Sequence, residues 1–200
     1  MKIIKDLIPI SAKRSGAKLV PRSITIHNTA NERSTAKNER DWLVNPENTR
    51  VASWHYAIFQ DQIVQAIPDN EIAYHTGSRV GNETSIGIEV TESGDYSLTY
   101  KTTVEFVALK LKEYNLSIKD IKKHQDWSGK YCPRLLLPVW DQFIKDIENQ
   151  LKWNEDIIID HWSEKHYQSL ISKGIVIHEK RFDDPITRGE IFALLDRIVK

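Results

Sequence analysis

Along the first hundred residues, short apolar runs with β-type chemistry alternate with segments whose apolar positions recur every three or four residues. Ser23 to His27, Trp54 to Phe59, Ile63 to Ile67 and Ser85 to Val90 are rich in β-branched or aromatic residues and bounded by turn-formers, which predicts four strands. Asp61-Gln62 between the second and third predicts a hairpin turn. Ser34 to Leu43 predicts a surface helix ended by Asn45-Pro46. Thr102-Thr-Val-Glu105 has capping-box spacing, so a second helix is expected to open at Thr102 and bury Val104, Val107, Ala108 and Leu111. A third is expected to begin near Pro138, with Trp140, Phe143, Ile144, Ile147 and Leu151 on one stripe.

After Asn149 the chain becomes more polar through Asn154-Glu155-Asp156, and no further strand chemistry follows. The boundary this predicts divides a main domain, 1–152, from a small helical domain, 153–200. In the latter, one helix is expected from Asp160 to Lys173, stopped by Gly174. Another should open at the capping box Thr187-Arg-Gly-Glu190 and bury Ile191, Leu194, Leu195 and Ile198. Fifty residues supply a marginal core on their own, so this piece is expected to dock or to pair with a second copy.

Composition changes the picture mainly by exclusion. With 28 Lys plus Arg against 28 Asp plus Glu, the chain shows no sequence-wide attraction for nucleic acid or anionic membrane, and neither is expected as a partner. Its single cysteine, Cys132, cannot form an internal disulfide. The N-terminal MKIIKDLIPISAKRSGAKLV lacks the continuous apolar core of a secretory signal. The expectation is a protein made in the cytoplasm without a signal peptide.

The candidate chemistry centres on KHQDWSGKYCP, residues 123 to 133. Cys132 there could be a packing residue, a nucleophile paired with His124, or a metal ligand. Seven histidines stand at 27, 55, 75, 124, 161, 166 and 178. His27 ends a strand, where a side chain can face a cleft beyond the sheet. Two imidazoles and a thiolate would leave zinc one open position, but a His-x7-Cys spacing alone leaves all three readings open.

Four stretches together carry a family resemblance: ITIHNTA at 24–30, ASWHYAIFQDQIVQAIPDNEIAYHTG at 52–77, SIGIEV at 85–90 and HQDWSGKYCP at 124–133. In order and spacing, over about residues 20 to 148, they resemble the zinc-dependent N-acetylmuramoyl-L-alanine amidases, particularly the catalytic domains of phage endolysins and bacterial autolysins. The resemblance implies a zinc ion (Zn2+) held by His27, His124 and Cys132. It implies hydrolysis of the amide between N-acetylmuramic acid and L-alanine in bacterial peptidoglycan. Glu89 matches the family's carboxylate facing the metal and is expected to be the general base. Lys130 is expected to stabilise the oxyanion and to help keep Cys132 a thiolate. Other members carry a catalytic tyrosine where this chain has Trp54, a departure that moves proton transfer onto Glu89. His75, Thr76 and Gly77 lie in a family-like groove loop. With Trp54, His55 and Trp127 they are the expected substrate contacts, His75 alternatively supporting a ligand from behind.

The implied fold is α/β: a central mixed β-sheet of five or six strands flanked by helices on both faces, with the zinc in a groove at the end of the sheet. The implied activity is cell-wall lysis after release from the cytoplasm. The alternative is a non-catalytic peptidoglycan-binding module, such as some peptidoglycan recognition proteins, which generally lack the metal-binding cysteine. The C-terminal KGIVIHEKRFDDPITRGEIFALLDRIV resembles the helical modules of clostridial and bacillar lysins. It is expected to bind a wall polymer or to form a homo-oligomer.

Overall fold

Among the described residues, six strands pair into one sheet in the order β1-β4-β3-β5-β2-β6. They are β1 (Lys2–Lys5), β2 (Ser23–Asn28), β3 (Tyr56–Phe59), β4 (Gln62–Gln65), β5 (Ser85–Val90) and β6 (Ile121–Lys123). Only the β3–β4 hairpin is antiparallel, so the sheet is mixed. The computed structural model describes residues 1–160, with 168–170, 172 and 173. His161, His166, His178, Gly174 and the Thr187 capping box lie outside the described residues. Of the expected helix from Asp160 to Lys173, residues 168–170 and 172 are described and are helical.

Period-two alternation along the central strands sends side chains to two apolar layers. Ile24, Ile26, Tyr56, Ile58, Ile86 and Ile88 pack with Phe106, Val107 and Leu111 of helix α3 (Tyr96–Glu113) and with Phe143 and Ile147 of helix α5 (Trp140–Asp160). On the other face Ala57 and Val64 pack with Ala36 and Leu43 of helix α1 (Ala36–Val44). Helices therefore cover both faces. The chain divides into two units, Met1–Lys152 and Trp153–Lys200, and the sheet belongs to the first.

Several boundaries differ from expectation for identifiable reasons. Helix α3 opens at Asp95, whose carboxylate accepts from the backbone N–H groups of Ser97 and Leu98. Thr102 and Thr103 lie buried within the helix, and the Thr103 hydroxyl donates to the Thr99 carbonyl four residues back. The hairpin turn falls at Gln60 and Asp61, with Gln60 left-handed at φ 51°, and Gln62 already pairs with Phe59. Pro138 sits in a short 3-10 turn, Leu137–Val139, that leads into α5. Two short helices were not expected: α2 (Arg79–Thr84) and α4 (His124–Ser128), the latter closed by Gly129 at φ 74°.

Candidate metal centre

The parallel pairing of β2 with β5 places His27 directly beside Glu89, on the same face of the sheet and near the C-terminal ends of both strands. Strand β6 runs parallel on the other side of β2 and delivers His124 at the first position of α4. The chain then folds back, with the Gln125 N–H bonding the Cys132 carbonyl at 3.0 Å, and brings the sulfur to the same point. Nδ1 of His27 is 3.0 Å from Nδ1 of His124, and Cys132 Sγ is 3.9 Å from His27 Nδ1. All three donor atoms lie within 4.8 Å of one another, and all three residues are buried.

This donor set suits a borderline-soft cation. Tetrahedral zinc with bonds of about 2.0–2.3 Å would hold such atoms about 3.3–3.6 Å apart, between the 3.0 and 3.9 Å that separate His27 Nδ1 from His124 Nδ1 and Cys132 Sγ. Protonation agrees. Burial pushes His27 well below the usual imidazole value and, with Lys130 nearby, holds His124 at about 4, so both rings are neutral at pH 7 and carry a free lone pair. Burial pushes the Cys132 thiol up to about 11, although Lys130 opposes it. Lys130 acts in the direction expected of it, toward the thiolate, but desolvation outweighs the lysine, and ionisation needs a stronger cation against the sulfur.

Glu89 is pushed up to about 8, first by burial and next by the carboxylate of Glu39. Its Oε2 is buried with no hydrogen-bond partner among the described residues, so the carboxyl has unused capacity beside the cluster. Lys130 is exposed. Both line a cleft of about 520 Å³ that also exposes edges of His27, His124 and Cys132.

Of the expected substrate contacts, Trp54, His75 and Gly77 line this cleft, whereas His55, Thr76 and Trp127 do not. His55 is fully buried and spends both nitrogens on the backbone: Nδ1 accepts from the Gly87 N–H at 2.9 Å and Nε2 donates to the Glu71 carbonyl at 2.9 Å. The Thr76 hydroxyl is likewise buried, bonded to Ser78 and Asn82, and the Thr76 backbone hydrogen-bonds His124. Trp127 Nε1 donates to Thr25 Oγ1 at 2.9 Å, which ties α4 to β2. His75 Nδ1 lies 3.0 Å from His27 Nε2. The far wall holds Glu39, Trp42 and Arg50, none of them singled out from sequence. Helix α1 reads simply as a surface helix, and nothing local shows that Glu39 turns toward a strand fifty residues on.

Fold and cluster together define an α/β protein with a candidate metal centre at the C-terminal edge of its sheet. The model of the N-acetylmuramoyl-L-alanine amidase family matches residues 17–135, more than half of the chain, and the chain belongs to that family. It is 39% identical over 165 residues to N-acetylmuramoyl-L-alanine amidase CwlA of Bacillus subtilis (strain 168), covering 76% of this chain and 59% of the relative. With N-acetylmuramoyl-L-alanine amidase XlyA of the same organism it shares 38% identity over 150 residues, covering 72% of this chain and 50% of that protein. The chain thus spans only about half the length of these curated relatives. The solved catalytic domain of XlyA superposes with a TM-score of 0.70 at 36% identity, covering 74% of this chain and 99% of that structure.

Proposed function

We propose that this protein is a zinc-dependent N-acetylmuramoyl-L-alanine amidase that lyses bacterial cell walls as an endolysin or autolysin. The observation that carries the reading is the convergence of two buried imidazoles and one thiol beside Glu89, whose buried Oε2 has no hydrogen-bond partner among the described residues, within a domain of the amidase family. His27, His124 and Cys132 would hold the ion. Zinc there would supply Lewis acidity and a water acidified toward a pKa of about 7.

The remaining steps belong to the chain's own side chains. Glu89 takes the proton of the attacking water at its free Oε2. A neighbouring dication lowers its pKa, so the carboxylate is ionised when the site is loaded yet stays more basic than a solvated one. As the carbon–nitrogen bond breaks, the same carboxyl returns the proton to the departing amine of L-alanine. The lactyl group of N-acetylmuramic acid leaves as the carboxylate. The Lys130 ammonium, at the cleft wall, faces the oxyanion that develops on the carbonyl. Trp54, His75 and Gly77 shape the surface on which the muramyl peptide lies.

Purified protein is expected to contain about one zinc per chain, to clear a suspension of cell walls, and to lose clearing on chelation, with new N-terminal alanine in the digest. Glu89→Gln should keep the zinc and lower clearing by about 10²–10⁴-fold. Retained clearing would move proton transfer to another group, and a metal-free active enzyme would end the zinc reading.

Residues 153–200 are inferred to hold the enzyme on a wall polymer, assembly with a second copy being the competing role. Removing them should weaken sedimentation with walls while leaving cleavage of soluble muramyl peptides unchanged. A change in solution mass instead would favour assembly, and no change in either would dismiss both.

A further inference from the structure

We infer that His75 is a positioning residue for His27: it fixes the imidazole in the tautomer whose unprotonated Nδ1 faces His124 and Cys132, and Gly87 provides the room it occupies. The consequence for metal binding rests on the zinc reading above; the geometry does not.

The backbone carbonyl of Ser85 can only accept a hydrogen bond, and His75 Nε2 lies 3.1 Å from it, so the proton of His75 is on Nε2. The ring is buried, and its hydrogen-bond partners among the described residues are that carbonyl and His27, with no carboxylate to hold a second proton, so it carries a single N–H. Nδ1 of His75 is therefore a bare acceptor. His27 Nε2 stands 3.0 Å away, and the hydrogen in that contact must come from His27. With the hydrogen of His27 spent in that contact, its Nδ1 presents a lone pair to the buried point where His124 Nδ1 and Cys132 Sγ meet. A carbonyl on β5 thus sets, through two rings, the direction of a lone pair at the end of β2.

The space for this relay is specific. A Cβ at Gly87 would lie 2.7–2.8 Å from three atoms of the His75 ring, nearer than such atoms approach. His55, edge-on to His75 with ring centroids 5.9 Å apart, does not compete, because both of its nitrogens are committed to backbone groups. Partners of this kind behind a ligating histidine are worth about 10–100-fold in metal affinity.

Long-range proton–nitrogen NMR of the metal-free full chain reads the tautomers directly. Zinc affinity, by competition with a chromophoric chelator, reads the consequence, and circular dichroism reports folding. In the wild type, His27 and His75 should both carry hydrogen on Nε2. His75→Leu keeps bulk without an acceptor and should release His27 into mixed tautomers and weaken zinc binding 10–100-fold. His75→Asn, whose amide oxygen can stand where Nδ1 stood, should recover most of the affinity. Gly87→Ala should weaken binding with His75 still present. A folded His75→Leu that binds zinc as tightly as the wild type would overturn the inference. So would a hydrogen on Nδ1 of His27 in the wild type, a measurement that decides even if the leucine or alanine variant does not fold. If the wild type takes up no zinc, the metal reading fails, and the tautomer spectra still judge the relay separately.

Discussion

An indole N–H can only donate, so its partner decides what a tryptophan does. Trp127 gives its hydrogen to Thr25 Oγ1, two residues before His27 on β2, and its role is to hold α4 against the strand. Trp54 is nearly buried, lines the cleft and has an Nε1 with no partner among the described residues. The two should separate by measurement. Trp127→Phe is expected to lower unfolding free energy by about 1 kcal/mol through one lost hydrogen bond, with KM for a soluble muramyl peptide unchanged. Trp54→Phe should raise KM and also lower the melting curve, because Trp54 packs in the apolar cluster with Ala36, Leu43 and Ala57. A rise in KM from the Trp127 replacement alone, at unaltered stability, would place that ring in the substrate path after all.

Elements buried on both faces were the legible ones. Strands β2 and β5 lie at the centre of the sheet, and their near-continuous runs of Ile, Val and small residues announce this. The edge strands β1 and β6 are KIIK and IKK, short and lysine-bearing in the way that protects an open edge, and too short to show a period. The start of α3 was misplaced because Thr102 and Glu105 have capping spacing. Asp95 is the stronger competitor, since its carboxylate takes two orphan N–H groups before a run, YSLTYK, with no clear apolar stripe. The site was partly legible for the same reason. His27 and Glu89 end readable strands, while their adjacency depends on strand pairing that local pattern does not contain. His124 and Cys132 were recognisable by family likeness more than by spacing. The contact of Gly87 with His75 and the approach of Glu39 join segments remote in sequence, so neither leaves a local trace.

Concentrating uncharged imidazoles in one interior makes the whole molecule acid-sensitive. His55 and His124 are held at about 4 and His75 at about 3, each chiefly by burial, and His27 is lowered well below the usual imidazole value too. In an unfolded chain each returns to about 6.5. A lowered imidazole pKa leaves stability intact above about 6.5 and removes it as pH falls toward the folded value, because the unfolded chain takes up protons that the fold refuses. Glu89, raised by burial to about 8, runs the other way: its share is present below about 4.5 and is lost as pH rises through 8. At pH 5 His55, His75 and His124 together outweigh the one carboxyl: unfolding takes up about two protons, a slope of about 3 kcal/mol per pH unit, and His27 acts in the same direction. Against a typical total of about 5–15 kcal/mol, that slope removes a large share of the stability over about two pH units. Urea titrations in chelator should therefore show a midpoint that changes little between pH 7 and 8 and falls steeply from pH 6 to 4.5. A midpoint flat from pH 7 to 5 would mean that the imidazoles are solvated in the folded chain, and the buried cluster with its relay would have to be abandoned.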